Sequence, residues 1–116
     1  MIYIAVAFGG ALGALARYAL GLFSTFPYGT FSVNVLGCFL IGVAFVVMRA
    51  APSGPAAGFI ITGFLGGFTT FSAFSLDVFR LVDAGQYVMA GVYVIGTVMA
   101  CLVAVFAGIA LMRSFI

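Results

Sequence analysis

The sequence predicts an all-α membrane protein: a single transmembrane domain over residues 1–116, with four helices and the third of them broken. Three observations predict it. Hydrophobic residues make up 66% of the chain and charged residues 5%, and the mean hydropathy is +1.41, outside the range of water-soluble domains. The apolar residues fall into four runs, each long enough for the roughly 20-residue span a bilayer requires. All three prolines lie between runs, where a helix is free to stop. Four spans with short connections leave no length for a nucleotide fold or an extramembrane catalytic unit, so the chain is expected to act within the bilayer.

The first run extends from about Ile2 to Phe23. No positive stretch precedes Ile2 and the run continues to Arg17, so it is expected to stay in the mature protein rather than be cleaved as a signal peptide. Gly9 and Gly13, like Gly10 and Ala14, have the spacing that lets membrane helices approach closely. Arg17 lies in the last third of the run, where it must snorkel or face an aqueous vestibule. An arginine costs about 2.5–3.5 kcal/mol at a span's centre, and this off-centre one is a candidate anion attractor. Ser24, Thr25 and Pro27 lead to the second run, about Tyr28 to Met48. There Asn34 shares a face with Thr30, Gly37, Cys38 and Ile41; its carboxamide either donates to an anion without bringing charge or bonds to a neighbouring helix. Arg49 to Pro55 forms the middle connection.

The third run, about Ala56 to Val82, contains Gly63-Phe64-Leu65-Gly66-Gly67-Phe68-Thr69-Thr70-Phe71-Ser72-Ala73-Phe74-Ser75. Its glycines each weaken a helix interior by up to about 1 kcal/mol relative to alanine, and its hydroxyls can re-satisfy backbone groups that a break releases. Non-helical backbone survives at membrane depth only where protein buries it or where it lines a wet cavity. The stretch is therefore a candidate site. Phe68, Phe71 and Phe74 recur every three residues, and they either pack or turn positive ring edges towards a small anion. Asp77 and Arg80 are expected to form a local ion pair. Asp83, Ala84 and Gly85 lead to the fourth run, about Gln86 to Met112. On it Tyr93, Thr97 and Cys101 form one polar line that bonds to other helices or faces a water-filled groove, and Ala104 and Gly108 repeat the small-residue spacing. Cys38 and Cys101 both read as small buried hydrophobes.

The net charge of +2 includes no lysine and no histidine, so no basic tract is available for nucleic acid. No nucleophile and base pair exists, which sets hydrolysis and metal catalysis aside: the chain is not expected to be an enzyme. An even number of spans puts Arg49 and Arg113 on one side of the membrane and Arg17 and Arg80 on the other. Orientation follows the excess of Lys and Arg in cytoplasmic loops, and here there is none. The chain is expected to insert both ways and to work as an antiparallel, dual-topology homodimer.

Three stretches together carry a resemblance. Gly9-Gly10-Ala11-Leu12-Gly13-Ala14-Leu15-Ala16-Arg17-Tyr18, then Gly29-Thr30-Phe31-Ser32-Val33-Asn34-Val35-Leu36-Gly37, then Gly63 to Ser75 fall in order on the first three runs, and the sequence resembles the fluoride channels of the Fluc (CrcB) family. The resemblance implies an antiparallel homodimer whose broken third helices cross at its centre. It implies a structural sodium ion held there by backbone carbonyls, at Gly66 and Thr69 of both subunits. Two pores follow, each lined by Phe71, Phe74 and Asn34 and by the polar line Tyr93, Thr97 and Cys101, with Arg17 matching the family's first-helix arginine. Asp77 stands where the family usually has glutamate, and Cys101 where a hydroxyl is expected, a thiol being the weaker donor.

The function implied is passive, highly selective export of fluoride across a bacterial-type inner membrane, relieving fluoride toxicity. Hydrogen fluoride enters as the neutral acid and dissociates inside; a channel lets the anion leave down its electrochemical gradient without nucleotide or proton coupling. Selectivity would come from a narrow apolar path with few donors: Asn34, hydroxyls of the third and fourth runs such as Ser72 and Thr97, and phenyl edges. Two alternatives remain. A four-span multidrug-type exporter would be expected to carry a carboxylate in its first span, and this chain has none before Asp77. A non-conducting membrane subunit would leave Asn34 and the Gly66 to Phe74 pattern without a purpose.

Overall fold

The computed structural model describes residues 1–116 and contains four helices long and apolar enough to cross a membrane, Ile2–Gly21, Tyr28–Val47, Pro55–Asp83 and Tyr87–Phe115. Each begins and ends within a few residues of its apolar run. The long dimension of 48 Å matches a bilayer with its headgroup regions, whereas the short dimension of 21 Å is only about two helix diameters. Only 21 of 116 residues are buried, so most of each span is left to face lipid or another protein surface.

Two backbone-to-backbone contacts hold the bundle. The first helix lies against the first half of the third span, where a Cβ at Gly9 would fall on the Phe59 carbonyl and one at Gly13 on the Phe64 carbonyl. From the opposite side, a Cβ on Gly63 would come to 3.0 Å from the Gly9 Cα and one on Gly67 to 3.2 Å from the Ala14 nitrogen. The second and last helices pair the same way, with Gly42 against the Val105 carbonyl and Gly108 against the Phe39 carbonyl. In lipid no hydrophobic force draws helices together, so this close packing supplies much of the cohesion. Four-residue spacing of small residues foretells both contacts.

The third span is irregular. Pro55 opens it at the first turn, where its missing N–H costs nothing. A wide π-helical stretch, Gly58–Leu65, and a short α-helical turn, Gly66–Phe68, follow. Helical geometry then fails over two residues, Thr69 (φ −88°, ψ 155°) and Thr70 (φ −152°, ψ 118°), and resumes at Phe71–Asp83. The break therefore falls at the threonines and not at the glycines thought to cause it. Gly63 and Gly67 remain helical because they are contact surfaces for the first helix. Threonine, being β-branched, sits well in extended backbone. The hydroxyls also bond to the backbone around the break: Thr69 Oγ1 adds a second donor to the Leu65 carbonyl at 2.9 Å, and Thr70 Oγ1 caps the new helix by accepting from the released Ala73 N–H at 3.1 Å.

The turn into the last helix is equally local. Gly85 adopts φ +76°, the Gln86 N–H donates to the Leu81 carbonyl at 2.8 Å, and the Gly85 N–H to Val82 at 2.9 Å. Those paired bonds use the last free carbonyls of the helix and require a residue that tolerates positive φ.

Candidate ion pathway at the helix break

Asn34 holds the break in place. Its Oδ1 accepts from the Thr70 N–H at 2.8 Å and its Nδ2 donates to the Thr70 carbonyl at 3.0 Å, so one side chain pairs with both polar groups of an extended residue as a neighbouring strand would. The second helix brings Asn34 there one turn before Gly37, whose missing side chain makes room for the Thr69 methyl group. Asn34 is thus the interhelical bond that was one of its two sequence readings. Its second Nδ2 hydrogen is not used by Thr70, and that donor is what the other reading requires.

Two cavities meet at Thr70. The larger, about 400 Å³, is polar and is lined by Arg17, Arg80, Asp77, Tyr18, Ser24 and Thr70, among others. Two arginines against one aspartate make it electropositive. Arg17 is half-buried and does more than face this space: its Nε donates to the Gly67 carbonyl at 3.1 Å, tying the first helix to the residues just ahead of the break. Arg80 Nη1 lies 3.6 Å from Asp77 Oδ1, the expected ion pair, but Asp77 is 4% exposed and also accepts from the Tyr93 hydroxyl at 3.0 Å.

The second cavity, about 270 Å³, is mostly apolar. Asn34, Thr69, Thr70, Phe71, Phe74, Thr97 and Cys101 line it with Cys38, Val98 and Leu102. Phe71 and Phe74 have ring centroids 5.5 Å apart and planes tilted by 47°; Phe74 is buried against Tyr93, while Phe71 is 76% exposed. Thr97 is 4% exposed, and its hydroxyl is the one buried side-chain polar atom in the molecule without a hydrogen-bond partner.

The remaining candidates lie beside this space. Tyr93 opens onto a separate hollow with Thr97, Tyr28 and Phe31, so the polar line of the last helix divides between two cavities. Ser72 is exposed, 3.2 Å from the Thr70 hydroxyl, and lines neither of the cavities that meet at Thr70. Phe68 is buried and stacked on Phe64 at 5.9 Å. Thr70, Cys38 and Arg80 are the lining residues that sequence reasoning missed. For Cys38 the signal was available, since it shares the Asn34 face; for Thr70 nothing distinguished it from Thr69.

The break also deprives four carbonyls, Gly66, Gly67, Phe68 and Thr69, of their helical donors, and Arg17 Nε takes up that of Gly67. The Thr70 N–H, which in a continuous helix would bond to Gly66, goes to Asn34, whereas the Thr69 N–H keeps its helical partner, the Leu65 carbonyl, at 3.0 Å. The Ala73 N–H, the helical donor for Thr69, goes to the Thr70 hydroxyl. Gly66 is exposed, and a Cβ there would meet only the Ile61 carbonyl oxygen at 3.7 Å. Freed carbonyl oxygens of this kind fit a hard cation such as sodium.

The chain is also similar along its length to known proteins. A channel of this name from Rhizobium johnstonii, "Fluoride-specific ion channel FluC", is 47% identical over 119 residues, covering 96% of this chain and 95% of its own length. Proteins of the same name from Rhizobium etli, at 46% identity (96% and 95% covered), and Opitutus terrae, at 47% (92% and 89%), match similarly. The family model described as "CrcB-like protein, Camphor Resistance (CrcB)" matches residues 4–109, the whole of the second and third spans and most of the first and fourth. The chain is a multi-pass membrane protein that belongs to the CrcB family.

Proposed function

We propose that this chain is the protomer of a passive, fluoride-selective channel that works as an antiparallel homodimer and exports fluoride. One observation carries the reading: a chain that aligns along 89–95% of relatives named fluoride-specific channels gathers an amide with a spare hydrogen, an unpartnered hydroxyl and two phenyl rings around one mostly apolar cavity.

Fluoride is drawn into the electropositive cavity by Arg17 and Arg80 and loses part of its water there. Beyond Thr70 it meets the free Nδ2 hydrogen of Asn34, then the Thr97 hydroxyl, with the positive edges of Phe71 and Phe74 replacing further hydration. Sparse donors bind the ion weakly enough for it to leave, and a larger anion gains less from each of them and fits less well. The helix Phe71–Asp83 begins at the same place, so its positive N-terminal end adds to the attraction.

A second, inverted copy completes the site. Gly66, Phe71 and Ser72, on either side of the break, are exposed, and the carbonyls freed there are ones that lipid cannot satisfy. Balanced arginines permit both orientations, so an inverted partner is always at hand. Gly66 and Thr69 of each copy would hold a sodium ion at the crossing; when bound, it supplies a fixed positive charge and partners for those carbonyls.

Fluoride-electrode recording of efflux from proteoliposomes tests the function. Rapid release without a nucleotide or a proton gradient is expected, and sealed vesicles that release no fluoride would defeat the reading. Reporter fusions at the C-terminus test the topology, and a uniform orientation would remove the antiparallel dimer.

A further inference from the structure

Cys38 and Cys101 come from different helices, the second and the last, yet both line the 270 Å³ cavity at the break. Neither is in a disulfide, and both are only half-buried. The same cavity is lined by Asn34 and by Thr97, which is more than nine-tenths buried and whose hydroxyl has no partner. Two sulfur ligands and one unpartnered oxygen therefore converge on a single space from which every charged side chain is absent.

We propose that Cys38 and Cys101 together form a binding site for a soft, thiophilic divalent cation, and that its occupation closes the anion path through this cavity. Thiolate sulfur selects soft metals over the hard cations that favour oxygen. Binding is an exchange without oxidation or reduction: two S–H bonds break, two metal–sulfur bonds form, and two protons pass to solvent. The Thr97 oxygen and water fill the remaining positions. A cation seated there occupies the volume an anion must cross, so the closure rests on the channel reading, whereas the binding does not.

Cadmium(II) is the probe. With the purified protein in detergent, cadmium is expected to produce a cadmium–thiolate charge-transfer absorption and to protect two cysteines per bound ion from maleimide. Cys38→Ala and Cys101→Ala should each weaken binding by at least about tenfold. In proteoliposomes, cadmium should slow fluoride efflux in the wild type, and each variant, compared with its own untreated rate, should lose that sensitivity. No absorption, or protection of fewer than two thiols in the wild type, overturns the site even if neither variant can be purified. Full binding with undiminished efflux overturns the closure alone. Untreated vesicles that release no fluoride would instead count against the channel reading and leave the binding result standing.

Discussion

Replacing Asn34 by alanine separates a pore donor from a packing residue more sharply than any other change. The side chain makes two hydrogen bonds to Thr70, at 2.8 and 3.0 Å, and its loss strands an N–H and a carbonyl at mid-membrane. In water-soluble interiors each stranded group costs about 1–3 kcal/mol, about 2–6 in all. Two facts lower that sum: interhelical hydrogen bonds measured in membranes average only about 0.6 kcal/mol, with a maximum near 1.7, and Thr70 borders the polar cavity, where water can reach it. About 1–3 kcal/mol is therefore the appropriate cost to the break geometry. At about 1.4 kcal/mol per factor of ten, that predicts a 5- to 150-fold fall in fluoride efflux, to which loss of the spare donor adds. Efflux from proteoliposomes is compared with the elution profile of the purified variant, so that misassembly is recognised. Asn34→Asp keeps the acceptor for Thr70 but places negative charge in the path, and should conduct no better. Efflux from Asn34→Ala within about twofold of wild type would refute both the clamp and the donor.

Three further outcomes follow from the same geometry. Phe71→Ile and Phe74→Ile should both reduce fluoride efflux sharply, and only Phe74→Ile, which also loses the contact with Tyr93, should lower the thermal midpoint measurably; wild-type efflux in both removes the phenyl edges from the mechanism. Gly13→Ala puts a methyl group on the Phe64 carbonyl and should destabilise the fold by the roughly 1–3 kcal/mol typical of overpacking, read as a lower thermal midpoint, whereas Gly91→Ala, with open space around it, should change nothing. Arg17→Gln removes charge from the polar cavity together with the bond to Gly67, and efflux should fall more steeply at low than at high ionic strength, because screening weakens the attraction it supplied; a loss independent of salt would assign Arg17 to structure alone.

The four spans were legible because length, hydropathy and proline placement all mark the same boundaries. Small-residue spacing at Gly9, Gly13 and Gly108 likewise foretold which faces meet, since in lipid only close approach holds helices together. The location of the break was not legible. Gly63, Gly66 and Gly67 look like weak points by intrinsic propensity, but all three stay helical, Gly63 and Gly67 in contact with the first helix, and the break passes to Thr69 and Thr70, where Asn34 and the hydroxyls supply substitutes. That compensation comes from residues far apart in the chain. The same limit explains Asp77, read as a local ion pair with Arg80: that pair is present, but its burial and its bond to Tyr93 depend on how the last helix packs, which no local spacing encodes. Cys38 was read by residue type, as a packing group, and only the cavity shows that it borders the same space as Cys101.

The central claim, passive and selective conduction of fluoride, is tested most directly by the reversal potential of the purified protein in a planar bilayer, with fluoride unequal across the membrane and chloride present on both sides. The current should reverse at the fluoride equilibrium potential and stay there when a pH gradient is imposed. Reversal at the chloride potential, or a current that follows the proton gradient, would contradict it.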